Sequence, residues 1–479
     1  MHPVDTITLA IYYAALGLLV IYSLHRLHLV RLRSKLEAPP AADAPMRRWP
    51  SVTVQLPVFN EPNVIARLID AAAALEYPGE LRIQVLDDST DATSSIAAGR
   101  VAAARSRGVR IDHVRRDSRS GYKAGALAHG MALGDPDELF AVFDADFVPP
   151  RDLLMRMVPS FADPSVGMVQ ARWGHLNARE SALTRVEAIY LDAHFAVESA
   201  ARHLRGCFFN FNGTGGIWRR AAIEDAGGWS ASTLTEDLDL SYRAQLAAWK
   251  FVFLPDVVVP AELPSTASGF HRQQHRWAKG SIQTARKILP RLLRSDLPAH
   301  VKSEAAFHLT NNVAYLLTVV VALLLVPAIV IRQRLGIGWT VVIDIALFVA
   351  STGSVVLFYI EGQRWAGRPR LAIRDLLCVL PVGVGMSVCN AAAVIEGAVQ
   401  YGGYFERTPK RGSTNRAPAE RRPRVPLAEA ILAIFFSAAM ATFIAARQWA
   451  SLPFVMLFLS GYGSAAIGGL RERLAWAQR

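Results

Sequence analysis

The chain has 479 residues, 52% hydrophobic and 19% charged, with a positive mean hydropathy. This is too apolar for an ordinary soluble enzyme and long enough for a sizeable folded domain beside several bilayer spans. The formal charge of +12 does not indicate nucleic acid, because the basic residues stand beside hydrophobic segments: Arg26, Arg31, Arg33 and Lys35, then Arg364, Arg368, Arg370 and Arg374, then Arg407 to Arg424, as the positive-inside rule requires.

Thr6 to Leu24 is about twenty apolar residues, enough for roughly 30 Å of hydrocarbon. The basic residues follow it and no small-residue cleavage site closes it, so an uncleaved anchor with its N-terminus outside is expected. Glu37 to Pro50 holds four prolines and reads as a linker. From Ser51 strands and helices alternate. Val52–Leu56 is a β-rich run, followed by Asn60 as an N-cap, Pro62 in a first helical turn and apolar residues at Val64, Ile65, Leu68 and Ile69. Further strands are expected at Leu81–Leu86, Val109–Val114 and Leu139–Phe143. The alternation predicts an α/β domain with a mostly parallel sheet and helices on both faces. Ligands of such sheets bind at the carboxyl ends of strands, where Asp87, Asp88, Asp144 and Asp146 fall.

Ser268 to Leu293 carries Phe270, Trp277, Ile282, Ile288 and Leu289 among basic residues, the composition of a helix at a membrane surface. Spans are expected at Val313–Ile331, Trp339–Ile360, Leu427–Ala446 and Trp449–Gly469, with Asp344 in the second facing protein and not lipid. Leu376–Ala398 is long enough to cross but is interrupted by Pro381, Gly383, Gly385, Asn390 and Glu396. If it crossed, the seven Lys and Arg from Arg407 to Arg424 would lie opposite the catalytic domain, so an interfacial or re-entrant placement is expected, with five spans and the C-terminus inside. The resulting units are an anchor (1–36), a linker (37–50), a cytosolic catalytic domain (51–264), interfacial helices (265–300), two spans (301–362), an interfacial helix with a loop (363–426), and two spans with a short tail (427–479). Arg332 and Arg334 fall in an outer loop against the charge rule. Cys207, Cys378 and Cys389 have no repeated spacing, so no disulfide framework or thiolate metal site is expected.

Three short patterns carry chemistry. Asp144-Ala145-Asp146 follows a hydrophobic strand, where two carboxylates can share a hard cation such as Mg²⁺ or Mn²⁺ with a substrate diphosphate. Thr235-Glu236-Asp237 opens a helix and offers Asp237 as a general base for a sugar hydroxyl. In Gln273-x-x-Arg276-Trp277, helical spacing presents an amide, a phosphate-binding guanidinium and an aromatic platform on one face. Asp91 is the cap of the helix that follows Asp88. Lys123 opens a helix, where a cation is useful when an anion meets it there. Singly, each pattern is equally the signature of a turn, a cap or an amphipathic helix.

Together and in this order, Pro57-Val58-Phe59-Asn60-Glu61, Asp87-Asp88, Gly121-Tyr122-Lys123-Ala124-Gly125-Ala126-Leu127, Asp144-x-Asp146, Phe211-Asn212-Gly213-Thr214, Thr235-Glu236-Asp237 and Gln273-x-x-Arg276-Trp277 resemble the motifs of membrane-embedded family 2 glycosyltransferases. The likeness is to the cellulose synthase superfamily, closest to cellulose-synthase-like A and C proteins and their bacterial relatives, over most of the chain. The resemblance implies a glycosyltransferase-A-type domain fused to an α-helical membrane domain, and an inverting, metal-dependent enzyme that takes a nucleotide-sugar donor and a glycan acceptor at the bilayer. It implies that Pro57, Glu61, Asp88, Lys123, Asp144, Gln273 and Arg276 hold the nucleotide sugar, Asp144 and Asp146 the metal, Asn212, Gly213, Thr214 and Trp277 the acceptor, and that Asp237 with Glu236 is catalytic. Phe405, Thr408 and Lys410 match the family's gating loop, with Arg407 in place of its valine. UDP-glucose and a translocated β-glucan are the expected substrate and product. GDP-mannose with a mannan or glucomannan, a single addition to a glycolipid, and a non-catalytic translocation scaffold are the alternatives.

Overall fold

The computed structural model describes residues 2–36, 46, 48–133, 138–368, 373–404, 410–412 and 424–478. It opens with a long apolar helix, α1 (Pro3–Lys35). The sheet that follows has seven strands: β1 (Val52–Val58), β2 (Leu81–Asp87), β3 (Ile111–Arg115), β4 (Leu139–Val142), β5 (Val166–His175), β6 (Gly216–Arg219) and β7 (Lys250–Ala261), in the order β3-β2-β1-β4-β6-β5-β7. β3, β2, β1 and β4 run parallel, β6 is antiparallel to both neighbours, and β5 and β7 are parallel to each other. The expected mostly parallel sheet with helices on both faces is present.

Period-two alternation explains the packing. Val52, Val54, Leu56 and Val58 of β1 point to one face, against Leu68 and Ile69 of the helix Ile65–Ala73. On the other face Gln55 donates to Gln84 Oε1 at 3.1 Å and to the Leu127 carbonyl at 3.2 Å, so a buried polar pair ties β1 and β2 to α2 (Tyr122–Ala132). Asn60 is not the cap expected of it. The helix begins at Ile65 after Val64, and Asn60 has φ 54° with its side-chain oxygen accepting from the Thr90 N–H. Asp91 does act as a cap, accepting from the Thr93 N–H at 2.9 Å.

Among the helices beside the sheet, α2, α3 (Ala182–Ala193), α4 (Glu236–Leu246) and the long amphipathic α5 (Ala267–Arg294) carry the residues that matter below. The apolar part adds α6 (Val313–Arg334), α7 (Val341–Trp365), α8 (Ile373–Val399), α9 (Leu427–Ala445) and α10 (Leu452–Ala477). Among the described residues six helices, α1 and α6 to α10, are long and apolar enough to cross a membrane.

Contacts orient these helices. At one end Arg334 of α6 pairs with Asp5 of α1, and Arg332 pairs with Asp344 of α7 at 2.5 Å. The two charges that the sequence analysis expects in an outer loop are therefore neutralised by acids, and Asp344 is buried against protein. At the other end Arg33 of α1 stacks on Trp365 of α7, and Glu472 of α10 accepts from the Ala267 and Ser268 N–H groups that open α5. α8 differs from the rest. It is one continuous helix through Pro381. Both of its ends meet the catalytic side: Asp375 pairs with Arg185 of α3 at 3.0 Å, while Glu396 pairs with Lys279 of α5 at 2.9 Å.

Candidate active site

The carboxyl ends of β1, β2 and β4 open onto a cavity of about 190 Å³. Asp144 and Asp146 lie just beyond β4. Asp144 receives Lys123 Nζ at 2.5 Å, and its N–H donates to Thr214 Oγ1 at 2.9 Å. Lys123, in the first turn of α2, also donates to the Gly213 carbonyl at 2.7 Å. One ammonium thus binds the strand-end acid to the 211–214 loop. Gly213 has φ 80°, and a Cβ there would stand 2.9 Å from Asp237 Oδ2, so only glycine lets this loop pass against that carboxylate.

Asp237 sits in the first turn of α4 with Oδ1 accepting from the Leu238 N–H at 2.8 Å. Desolvation, and then the charge of Glu236, push its carboxyl up to about 7. A carboxylate so poised can both take and release a proton at neutral pH. The position of α4 is set by α5. Gln283 accepts from the Leu234 N–H at 2.9 Å, and Thr284 meets Thr235 at 3.3 Å between hydroxyls. Gln273, Arg276 and Trp277 border the cavity from the same helix, with Arg276 in the field of Glu236, Asp144, Asp237 and Asp146.

Gly280 makes the approach of α5 to Thr235 close: a Cβ would lie 2.5 Å from Thr235 Cγ2 and 2.9 Å from its backbone nitrogen. Gly280→Ala is expected to destabilise the protein by about 1–3 kcal/mol through overpacking and to lower turnover by shifting Asp237. Thermal unfolding and initial rates on the same preparation check this; an unchanged melting point would mean the helices separate at no cost.

Asp146 pairs with Lys410 at 2.8 Å, and Lys410 also donates to the Glu262 carbonyl at 2.6 Å. The Glu262 carboxylate accepts from the Arg411 and Gly412 N–H groups and pairs with Arg67 at 3.1 Å, clamping this short segment over the strand ends. Phe405 and Thr408 lie outside the described residues. On the opposite wall Asp88 holds Arg116 through both oxygens, at 2.9 and 2.5 Å, and Arg119 stacks over Phe59.

Pro57, Glu61, Asp88, Lys123, Asp144, Asp146, Asn212, Gly213, Glu236, Asp237, Gln273, Arg276, Trp277 and Lys410 all border this one cavity. Thr214 does not, and acts behind it on Asp144. Arg116, Glu187 and Glu262 escaped the sequence analysis. Glu262 follows β7 directly, so its strand-end position was the available signal; the other two have none in a single sequence. No group of three or more His, Cys, Asp or Glu able to hold a metal is found among the described residues. The two carboxylates suit a hard divalent cation that takes its other ligands from a diphosphate.

A strand-end acid pair, a raised carboxyl on a facing helix and an arginine between them, on a seven-stranded mostly parallel sheet, define a glycosyltransferase-A-type domain. Residues 50–280 match the family described as "Glycosyltransferase like family 2", and the chain carries a family 2 glycosyltransferase domain. It is 45% identical over 252 residues to "Probable glucomannan 4-beta-mannosyltransferase 10" of Arabidopsis thaliana, covering 52% of this chain and 46% of that one. It is 45% identical over 253 residues to "Glucomannan 4-beta-mannosyltransferase 1" of Oryza sativa subsp. japonica, covering 52% and 48%. The chain spans about half the length of these curated relatives. Among solved structures it is similar in fold to the mannosyltransferase PcManGT from Pyrobaculum calidifontis, in complex with GDP-Man and Mn²⁺, with a TM-score of 0.55 and 21% identity over 82% of this chain and 99% of that one.

Proposed function

We propose that the protein is an inverting β-mannosyltransferase that uses GDP-mannose to extend a mannan or glucomannan at a membrane. The observation that carries this reading is the convergence of Asp144, Asp146, Asp237 and Arg276 on one cavity, in a domain 45% identical to a probable glucomannan mannosyltransferase. These relatives support GDP-mannose over UDP-glucose, the donor expected first from sequence.

Asp144 and Asp146 would hold a divalent cation together with the donor diphosphate. Bound there, Mg²⁺ or Mn²⁺ supplies positive charge where the leaving group becomes negative. Arg276 adds a fixed cation to the same oxygens, Trp277 gives the acceptor ring a face to stack on, and Asp237 removes the proton of the attacking hydroxyl. Attack from the face opposite the diphosphate inverts the anomeric carbon, so an α-linked donor gives a β-linked product. Lys123 and Lys410 neutralise the two acids and must yield to the cation and donor, which gives the segment at Lys410 a role in admitting them.

We read α1, α6, α7, α9 and α10 as spans and α8 as lying along the interface. The ties of both α8 ends to α3 and α5 support this, as does the position of Lys410 beside Asp146. The N-terminus is then outside and the catalytic domain cytosolic. Purified full-length protein given Mn²⁺ and GDP-mannose, GDP-glucose or UDP-glucose is expected to make alkali-stable β-linked polymer from GDP-mannose. Polymer from UDP-glucose alone would overturn the donor, and a short lipid-soluble product would overturn the polymerase.

A further inference from the structure

Glu187, on α3, is 1% exposed and borders the cavity, yet neither of its carboxyl oxygens has a hydrogen-bond partner among the described residues. Near it in sequence on α3, Ala188 and Leu191 form an apolar cluster with Leu263, against which Trp277 packs. A buried carboxyl with two unsatisfied oxygens costs the free protein stability. Desolvation holds the group up to about 8, with Lys410 opposing and Asp146 adding to the shift, so at neutral pH it is mainly the uncharged acid. An uncharged carboxyl has one O–H donor and acceptor capacity left over, the complement of a hydroxyl that does the same.

We propose that Glu187 is a further specificity-determining residue, which hydrogen-bonds a pyranose hydroxyl of the saccharide in the cavity. The inference rests on the sugar-transfer reading of the site and adds a contact that none of its sequence motifs contains. It shares the cavity with Trp277, which offers a ring face, and lies within the field of Lys410 and Asp146. Either the donor hexose or the acceptor hexose supplies the hydroxyl. Such a pairing discriminates strongly, because a sugar without a hydroxyl at that point leaves the carboxyl unpaired.

The test compares the full-length wild type with Glu187→Gln and Glu187→Leu. Steady-state rates are measured with varied donor and varied β-1,4-linked mannohexaose, alongside affinity for free GDP with Mn²⁺ and the thermal midpoint. Glu187→Leu is expected to lose about tenfold in kcat/KM, the worth of a hydrogen bond to a buried partner, while its thermal midpoint rises and its GDP affinity is unchanged. Glu187→Gln, which keeps a donor and an acceptor, should stay within about threefold. A change confined to the donor KM or to the acceptor KM names the sugar involved. Wild-type kinetics in Glu187→Leu would overturn the proposal. A loss of GDP and Mn²⁺ affinity in step with activity would also overturn it, assigning Glu187 as a counter-ion for Lys410. Direct titration of wild type and Glu187→Leu with mannohexaose and cellohexaose by tryptophan fluorescence separates the two claims. Saccharide binding that depends on Glu187, in a wild type that transfers no sugar, would sink the enzymatic reading and leave this one standing.

Discussion

Asp237→Asn is expected to lower turnover by about 10³–10⁴-fold, the upper range for loss of a positioned general base, with little change in donor binding. The amide keeps the shape and the hydrogen bond from the Leu238 N–H, so the α4 first turn is preserved while proton abstraction is lost. The same carboxyl sets the pH profile. Because burial and Glu236 hold it at about 7, it is protonated and inactive as a base at lower pH, so wild-type kcat should rise through pH 7 and level off above it. Asp237→Asn should remove that limb. Its melting point at pH 8 should not fall, since the fold no longer holds a carboxylate whose ionised form it disfavours. Retention of more than a tenth of wild-type kcat, or an unshifted pH limb, would assign the base elsewhere.

Removal of the Arg276 guanidinium has the second largest expected effect. Arg276→Ala should cost about 10²–10³-fold in kcat, comparable to deleting one preorganised donor from a site of developing charge, and Arg276→Lys should recover only part. Lysine supplies the charge without the planar fork that meets two oxygens. The effect should be greater in kcat than in donor KM if the interaction strengthens as the diphosphate departs. The field of Glu236, Asp144, Asp237 and Asp146 around Arg276 adds a second consequence. Without its positive charge the neighbouring carboxylates repel one another more strongly, so the pH limb assigned to Asp237 should move upward. A change in KM alone, with no shift in the limb, would make Arg276 a ground-state contact only.

The strands that carry the donor side were legible because they are short, apolar and end in acids. β1, β2, β3 and β4 fall within a few residues of their expected positions, and Asp144 and Asp146 stand where a strand-end site requires. β5, β6 and β7 were not read. β6 has four residues, and β7 carries Pro255 and Asp256, so neither shows the alternation that marks a strand. Asn60 was misread as a cap because its side-chain oxygen has two uses, and the contact with Thr90 across the strand ends is not local in sequence. α8 carries Pro381, Gly383 and Gly385 inside one continuous helix. Proline and glycine weaken an isolated helix, but α8 is packed against α5, α6 and α10, and tertiary contacts override propensity there.

The sequence by itself determined the apolar N-terminal helix, the parallel strand and helix alternation, the acids at strand ends and the helical spacing of Gln273, Arg276 and Trp277. Each is a local property, set by a period of 2 or 3.6 residues or by a run length, and so survives without knowledge of the fold. Only the tertiary structure decided which charges meet. The pairing of Lys123 with Asp144, Lys410 with Asp146, Arg116 with Asp88 and Arg332 with Asp344 joins residues between 12 and 264 positions apart. So did the placement of Glu187 against the cavity, since a glutamate on a helix has no local mark that it faces inward unpaired. Coulombic and hydrogen-bond terms depend on distance and desolvation, and both are created only when the sheet, α3, α4 and α5 close around one space.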